Sequence, residues 1–401
     1  MRPGARSAIC FHTAMAASAP FPGFQVLLAN GYQGANGIER TKTGSLDGVR
    51  YVYKQLVPDS QWFRINVLVR QKQVQVRLND MLVVDYVEPA QPFQAGSDFR
   101  CVIGHGTFAL RALGSHDTTY FRNIRLRPLP DDIPQLSHEQ PEVDDVYREI
   151  IRLGAENYPV VDYHVHLKGG LTIEQAVENS RRVGIGYGVA INCGIGLPVH
   201  DDATVHDYLE SMKGQPCFVA MQGEGREWPT VVSPESVARF DYLFTDAMTF
   251  TDDNGKRMRI WIPEEIGVII DSQAFMEMYV KRIESVMREH IDIYANATYL
   301  PDQIAAAYDA LWTPERMQRV IDAALKHDVA IEINNRRRIP SPAFIKMAKA
   351  AGCKFSFGTN NAEAELGRLE YPIQMVRECG LAWQDIFVPK PEGKKPIQVR
   401  T

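Results

Sequence analysis

Two histidines set two residues apart, His164 and His166, close the run Val160-Val161-Asp162-Tyr163-His164-Val165-His166-Leu167. The first half of that run is apolar and β-branched, so it reads as a buried strand. Side chains two apart on a strand share a face, so two neutral imidazoles there can converge on one cation. The same spacing also occurs where each ring merely hydrogen-bonds in an interior, and the pair alone leaves both readings open.

Downstream, apolar runs alternate with helical patterns. Strands are expected at Val160–Leu167, Tyr187–Cys193, Cys217–Glu224, Phe240–Thr249, Ile291–Thr298, Val329–Asn334 and Lys354–Thr359, and helices include Thr172–Val183, Ser272–Glu289, Pro314–His327 and Ser341–Ala351. Thr172 and Thr313 suit N-caps, and Gly184 and Gly352 suit helix ends. Strands separated by helices pair in parallel with right-handed crossovers, and their chemistry gathers at the C-terminal strand ends.

Those ends carry many polar residues. In chain order they are His164, His166 and Lys168; Asn192 and Cys193; Gln222, Glu224, Arg226 and Glu227; Asp246 and Thr249; Asn296; Glu332 and Asn334; Asn360 and Asn361. So many polar groups at one end of apolar strands would be costly unless they line a solvated cavity or bond to one another. They mark a pocket, although capping of loops accounts for some of the asparagines. His290 precedes its strand and reads as structural, and His200 and His206 read as solvated surface. Arg336-Arg337-Arg338 selects an anion or is a solvated loop, and Trp228 is a sugar platform or a core aromatic.

Before residue 128 the pattern is all-β. Trp62–Val69, Val74–Asn79, Leu82–Tyr86, Gly106–Leu110 and Tyr120–Leu126 read as strands, with a turn at Asn79-Asp80. The expected domains are a leader over 1–22, a β-sandwich over 23–128, a linker and helix over 129–157, and a barrel over 158–401. Arg2, Arg6 and the small residues Ala16-Ala17-Ser18-Ala19 give the leader a faint signal-peptide character, so cytoplasmic and exported locations both stay open. Pro128, Pro130, Pro134 and Pro141 make the linker, and Val143–Leu153 a helix with Val146, Ile150 and Leu153 on one face.

The chain has 401 residues, 45% hydrophobic and 23% charged, with a net charge of −5. That length holds two cores, the mixed charge gives no footprint for nucleic acid or a polybasic membrane anchor, and no apolar run spans a bilayer. Six scattered cysteines without a CxxC pair read as buried small apolar residues.

Two resemblances sharpen this outline. The run Asp59–Asp85, with Trp62 and Leu78-Asn79, and the ending Tyr120-Phe121-Arg122-Asn123-Ile124 resemble the second half of the 3-keto-disaccharide hydrolase domain, a concanavalin-like jelly roll. Where that family has polar motif residues, this chain has Gln25, Leu27, Arg111 and Leu113. The resemblance therefore implies a truncated, non-catalytic sandwich that binds sugar or only packs.

The second resemblance spans about residues 158–385. Asp162-Tyr163-His164-Val165-His166, Ile331-Glu332-Ile333-Asn334 and Phe357-Gly358-Thr359 resemble the polymerase and histidinol phosphatase (PHP) family, whose distorted seven-stranded (β/α) TIM-like barrel holds up to three metals for phosphoester hydrolysis. His164 and His166 match its first metal pair, and Glu224 its bridging carboxylate. Asn192-Cys193, Asn296 and Asn360-Asn361-Ala362 stand where the family has Asp or His, and Lys168 lies where it often places another His. The resemblance thus implies one divalent metal (Zn, Mn or Fe) on His164, His166 and Glu224, with Asp246 as a fourth ligand or base. Glu227 is the alternative base, and Lys168 or Arg226 steadies an anion. Asn192, Gln222, Asn296, Asn334 and Asn360 would then bind substrate. A metal-free acid/base site, and a carbohydrate-binding protein without turnover, remain as alternatives. The small-molecule or saccharide partner, like the oligomeric state, is otherwise unspecified.

Overall fold

The computed structural model describes residues 1–14, 23–34, 37–95, 101–113, 118–251 and 255–399. Contacts divide the chain into two compact units. The first is Met1–Val161 with Thr172–Tyr187 and Gly214–Cys217; the second is Asp162–Leu171, Gly188–Lys213 and Phe218–Thr401.

The first unit is built on antiparallel strands β1 (Arg6–Thr13), β2 (Phe24–Ala29), β3 (Ile65–Arg70), β4 (Gln73–Leu78), β5 (Met81–Val87) and β6 (Thr107–Ala112). They form two three-stranded sheets, β2-β1-β6 and β3-β4-β5, in a jelly-roll-like arrangement. Apolar residues from both sheets, among them Phe11, Phe24, Val26, Val74, Val76 and Tyr86, share one core. Phe11 and Phe24 stack with ring centroids 5.3 Å apart. Asn79 and Asp80, both at positive φ, make the two-residue turn between β4 and β5 that the sequence signals.

Two expectations change here. Arg6–Thr13 lies in the stretch read as a leader, yet β1 is the central strand of its sheet, because its alternate residues Ala8 and Cys10 are buried between two partners. The Ala16–Ala19 stretch lies outside the described residues. Tyr120–Leu126 alternates like a strand but is not one. No strand pairs with it among the described residues, and Tyr120, Ile124 and Leu126 are exposed.

Helix α1 (Asp145–Ala155) is capped by Asp144, whose side chain accepts from Tyr147 N, and buries Tyr147, Ile150, Ile151 and Leu153. Its buried stripe therefore runs through Tyr147 rather than Val146. Helix α2 (Ile173–Val183) begins at a capping box formed by Thr172 and Gln175 and ends at left-handed Gly184. The Arg50 guanidinium donates to the carbonyls of Arg181 and Arg182, which the end of the helix leaves free.

Seven parallel strands close a TIM-like barrel: β7 (Val161–Val165), β8 (Gly186–Cys193), β9 (Phe218–Gly223), β10 (Tyr242–Thr245), β11 (Ile293–Tyr294), β12 (Ala330–Asn334) and β13 (Phe355–Gly358), in the order β8-β9-β10-β11-β12-β13-β7. Each follows the apolar run expected of it, with shorter limits except for β8, which starts one residue earlier at Gly186. β11 shrinks to two residues because Asn296 and Thr298, at φ 51° and 67°, leave the extended region. β10 ends at Thr245, and Thr249 starts a separate hairpin strand. The seam between β13 and β7 is a single ladder pair, Phe357 with Asp162, beside which Asn360 N donates to the His164 carbonyl at 2.8 Å. All six cysteines are free and buried, and no helix among the described residues is long and apolar enough to cross a membrane.

Candidate functional site

β7 alternates so that Asp162, His164 and His166 share one face, and all three are at most 2% exposed. The two imidazoles meet edge to face with centroids 5.1 Å apart, and Phe244 packs on His164 at 4.5 Å. His164 Nδ1 lies 2.5 Å from Glu332 Oε1, and His166 Nδ1 lies 3.1 Å from the Ala190 carbonyl. A carbonyl can only accept, and an ionised carboxylate likewise, so each Nδ1 carries the hydrogen. In the neutral ring each Nε2 is then a bare lone pair; both are buried without a hydrogen-bond partner at normal distance, with the Gln222 side chain beside His166.

Glu332 orders the floor of the site. Its Oε2 accepts from the backbone N of Asn296 at 2.6 Å and from Asn334 Nδ2 at 3.1 Å. Burial alone would push its carboxyl up, but neighbouring His164, which donates to it, and these bonds together hold it below the usual carboxylate range. Burial pulls His166 well below the usual imidazole value, helped by neighbouring His164 and Lys168, so His166 is neutral at pH 7.

Two further carboxylates stand across the floor. Glu224 accepts from Asn192 Nδ2 at 2.7 Å; Asp246 accepts from Asn296 Nδ2 and from Met248 N, both at 2.9 Å. Burial raises both carboxyls, and Asp246 raises Glu224 further. Asn192 Nδ2 also reaches Gln222 Oε1 at 3.3 Å. Asn296 Oδ1 accepts from Asn334 at 3.3 Å and Asn360 at 2.9 Å. The five expected substrate-binding amides thus fall into two networks, Asn192 with Gln222 and Asn296 with Asn334 and Asn360. Asn296 and Asn334 are fully buried and engaged by one another, whereas Asn192 and Asn360 are half-buried at the network's edge.

The seam is fastened by the same residues. Asp162 Oδ1 accepts from His164 N at 3.0 Å and Thr359 N at 2.9 Å, and its Oδ2 from Thr359 Oγ1 at 2.5 Å. The Asn361 amide accepts from His166 N at 2.8 Å and donates to His166 O at 2.9 Å.

Two expected catalytic groups are engaged elsewhere. Arg226 donates to Glu289 at 2.5 Å, Thr245 Oγ1 at 3.0 Å and the Asp246 carbonyl at 2.9 Å, so its guanidinium is paired with a carboxylate of this chain and bound to the end of β10. Glu227 pairs with Arg257 at 3.0 Å, which leaves Asp246 as the carboxylate joined to the histidine floor through Asn296. Trp228 is buried and donates to Glu289, so it is a core aromatic and not a platform. Lys168 is exposed at the mouth, where partial desolvation and Arg336 lower its pKa against the pull of Glu224. His200 and His206 are exposed, and His290 is half-buried in a cleft with Trp228 and Glu289.

Sequence reasoning gave no role to Glu332, Asp162, Thr359 or Phe244. Glu332 stood out only as a polar strand end inside a motif of the PHP resemblance, and its partner His164 is 168 residues away.

The donor set meets two requirements of a bound divalent metal. Both rings are fixed through Nδ1 by a carboxylate or a carbonyl, and both Nε2 atoms are free to bind. Among the described residues no third His, Cys, Asp or Glu is grouped with them as a ligand.

Residues 1–127 match the model of a 3-keto-alpha-glucoside-1,2-lyase-like domain, a match that ends before the barrel. No curated protein matches the chain. Solved structures similar to it include a tetrameric deoxyribose phosphate aldolase from Aeropyrum pernix, at 10% identity and TM-score 0.27, covering 55% of this chain and 85% of that one. Another is a Xaa-Pro dipeptidase with bound methionine in its active site, at 13% identity and TM-score 0.16, covering 57% of this chain and 47% of that one. Neither likeness bears on what this chain does.

Proposed function

We propose that the barrel mouth is a PHP-like hydrolase site with one divalent metal, of the Zn, Mn or Fe kind, acting on a carbohydrate-derived or phosphoester substrate. The observation that carries the reading is the pair of buried, unpartnered Nε2 atoms on His164 and His166, each with its Nδ1 hydrogen fixed. His164 and His166 would hold the metal, with Glu224 as the third ligand. Bound there, such an ion supplies Lewis acidity and a water of lowered pKa.

The chain's own residues do the rest. Asp246, steadied by Asn296 and Met248 N and raised by burial, holds or moves a proton at its carboxylate. Lys168, at the rim, faces charge that develops on the substrate. Asn192 and Asn360, at the edge of the amide networks, orient hydroxyls. The match of residues 1–127 supports the carbohydrate side of the substrate choice, by association with the neighbouring module.

The test is elemental analysis of the purified full chain beside its His164→Ala and His166→Ala variants, followed by hydrolysis assays on glycosides and phosphomonoesters. About one equivalent of metal in the parent, lost in both variants together with turnover, is expected. A parent chain that takes up no metal on reconstitution, or variants that keep both metal and turnover, would overturn the reading.

A further inference from the structure

The cleft shared by Trp228, Glu289 and His290 uses none of the residues of the histidine floor and encloses about 250 Å³. Trp228, Pro229, Val232 and Val237 line it on one side, and Ile397, from the short helix Pro396–Val399, lines it on another. The sequence explains why packing leaves it open. Trp228–Val231 and Pro234–Val237 are single-turn helices, each with a proline in its first turn, and the chain between them is extended at Val232 and Ser233.

Polar bonds, rather than contact across the gap, hold the walls. Trp228 Nε1 donates to Glu289 Oε2 at 2.6 Å, and the indole is seated on Gly223, where a Cβ would come within 2.8 Å of the ring. It cannot turn into the cleft. Lys395 Nζ donates to the carbonyls of Ala238 at 2.6 Å and Phe240 at 2.8 Å, which anchors the helix carrying Ile397. An apolar group entering the space therefore needs no rearrangement of its walls.

Charge decides what kind of molecule fits. Among the lining residues Glu289 is the carboxylate, and both of its oxygens are taken, Oε2 by Trp228 and Oε1 by Arg226 at 2.5 Å. Arg288 beside it is exposed and makes no ion pair among the described residues. The rim thus keeps a guanidinium fork whose geometry matches both oxygens of a carboxylate.

We propose that this cleft binds a small carboxylic acid with an apolar body, the body lying between Trp228, Val237 and Ile397 and the carboxylate on Arg288. At about 250 Å³ the space falls below the roughly 300–1,000 Å³ of sites for drug-sized ligands, so a single ring or a short branched chain is the size that fits. Binding here is independent of the histidine pair.

Isothermal titration calorimetry on the full chain, kept metal-free with EDTA so that no carboxylate is held by a metal, is the test. Phenylacetate, 3-methylbutanoate and indole-3-acetate are the probes, with their primary amides and acetate as controls. At least one probe should bind saturably, its amide about tenfold more weakly, and acetate not at all. Arg288→Gln should erase the preference for acid over amide. Ile397→Trp, which fills the cleft from a half-buried position, should abolish binding with its urea midpoint unchanged. No saturable binding of any probe, amides that bind as tightly as the acids, or binding undiminished in either variant would overturn the proposal. A concentration-dependent dimer in sedimentation that Ile397→Trp dissociates would also overturn it, because a second copy would then be what fills the cleft.

Discussion

Replacing Glu332 by Gln keeps the shape of the side chain and removes its charge, which isolates what the carboxylate does. Glu332 accepts three hydrogen bonds, at 2.5 Å from His164 Nδ1, 2.6 Å from Asn296 N and 3.1 Å from Asn334 Nδ2. An amide has one accepting oxygen, so its NH2 must face one side of this set. If it faces His164, the imidazole hydrogen has to move to Nε2, and the lone pair that would bind metal disappears. If it faces Asn296 N, two buried donors oppose each other. Either arrangement loses one charge-assisted bond or leaves one donor unmet, a loss of about 2–3 kcal/mol to the barrel. Metal affinity should fall about 10–100-fold, the usual effect of removing a carboxylate behind a histidine ligand. Hydrogen exchange of the β7 and β12 peptides in the metal-free chain reads the first quantity, and equilibrium dialysis against Zn²⁺ the second. If Glu332→Gln binds Zn²⁺ as tightly as the parent, with exchange protection unchanged, the carboxylate does not set the His164 tautomer.

Gly358→Ala should damage the same pair from another direction, since the new Cβ would run into Glu332 Oε1 and His164 Cβ; a loss of about 1–3 kcal/mol by hydrogen exchange and weaker Zn²⁺ binding are expected. Asn296→Ala should cost about 2–4 kcal/mol through the lost Asp246 bond and the φ of 51°, and Asn296→Gly should recover about 1 kcal/mol of that by relieving the backbone term alone. His166 gives a pH signature in the metal-free chain. Its folded pKa lies below the unfolded value of about 6.5, so the unfolded state takes up the proton first. Stability is therefore full above about pH 7 and falls by about 1.4 kcal/mol per unit as pH drops below 6.5, until the folded pKa is reached. His166→Asn, which keeps a donor for the Ala190 carbonyl, should lose that slope in urea-midpoint measurements across pH 5–8.

The barrel was legible because each strand is a short apolar run bounded by polar residues or glycine, and the polar ends declared the mouth. What stayed hidden depends on partners far along the chain. Arg6–Thr13 is rich in small residues and looks like a leader, and only the two strands beside it make it central. Glu332 sits in Ile331-Glu332-Ile333-Asn334, an alternation any half-buried strand shows, and nothing local reports that it reaches His164. Arg226 and Glu227 were placed at the right strand end, but Glu289 and Arg257, which engage them, lie 63 and 30 residues on. Tyr120–Leu126 erred the other way, since propensity alone does not supply a neighbour to pair with.

The single ladder pair that closes the barrel has a bearing on how the chain matures. Asp162 meets Thr359 across 197 residues, and Asn361 meets His166 across 195, so these fasteners form only once the first and last barrel strands have found each other. Contacts of such long range carry the largest loop-closure cost and come late in folding. Because the fasteners hold the two histidines in place, a half-assembled chain does not bring His164 and His166 into position. The geometry of the histidine pair is in this sense a certificate of finished folding, and any ligand gripping the floor would also bolt the barrel shut.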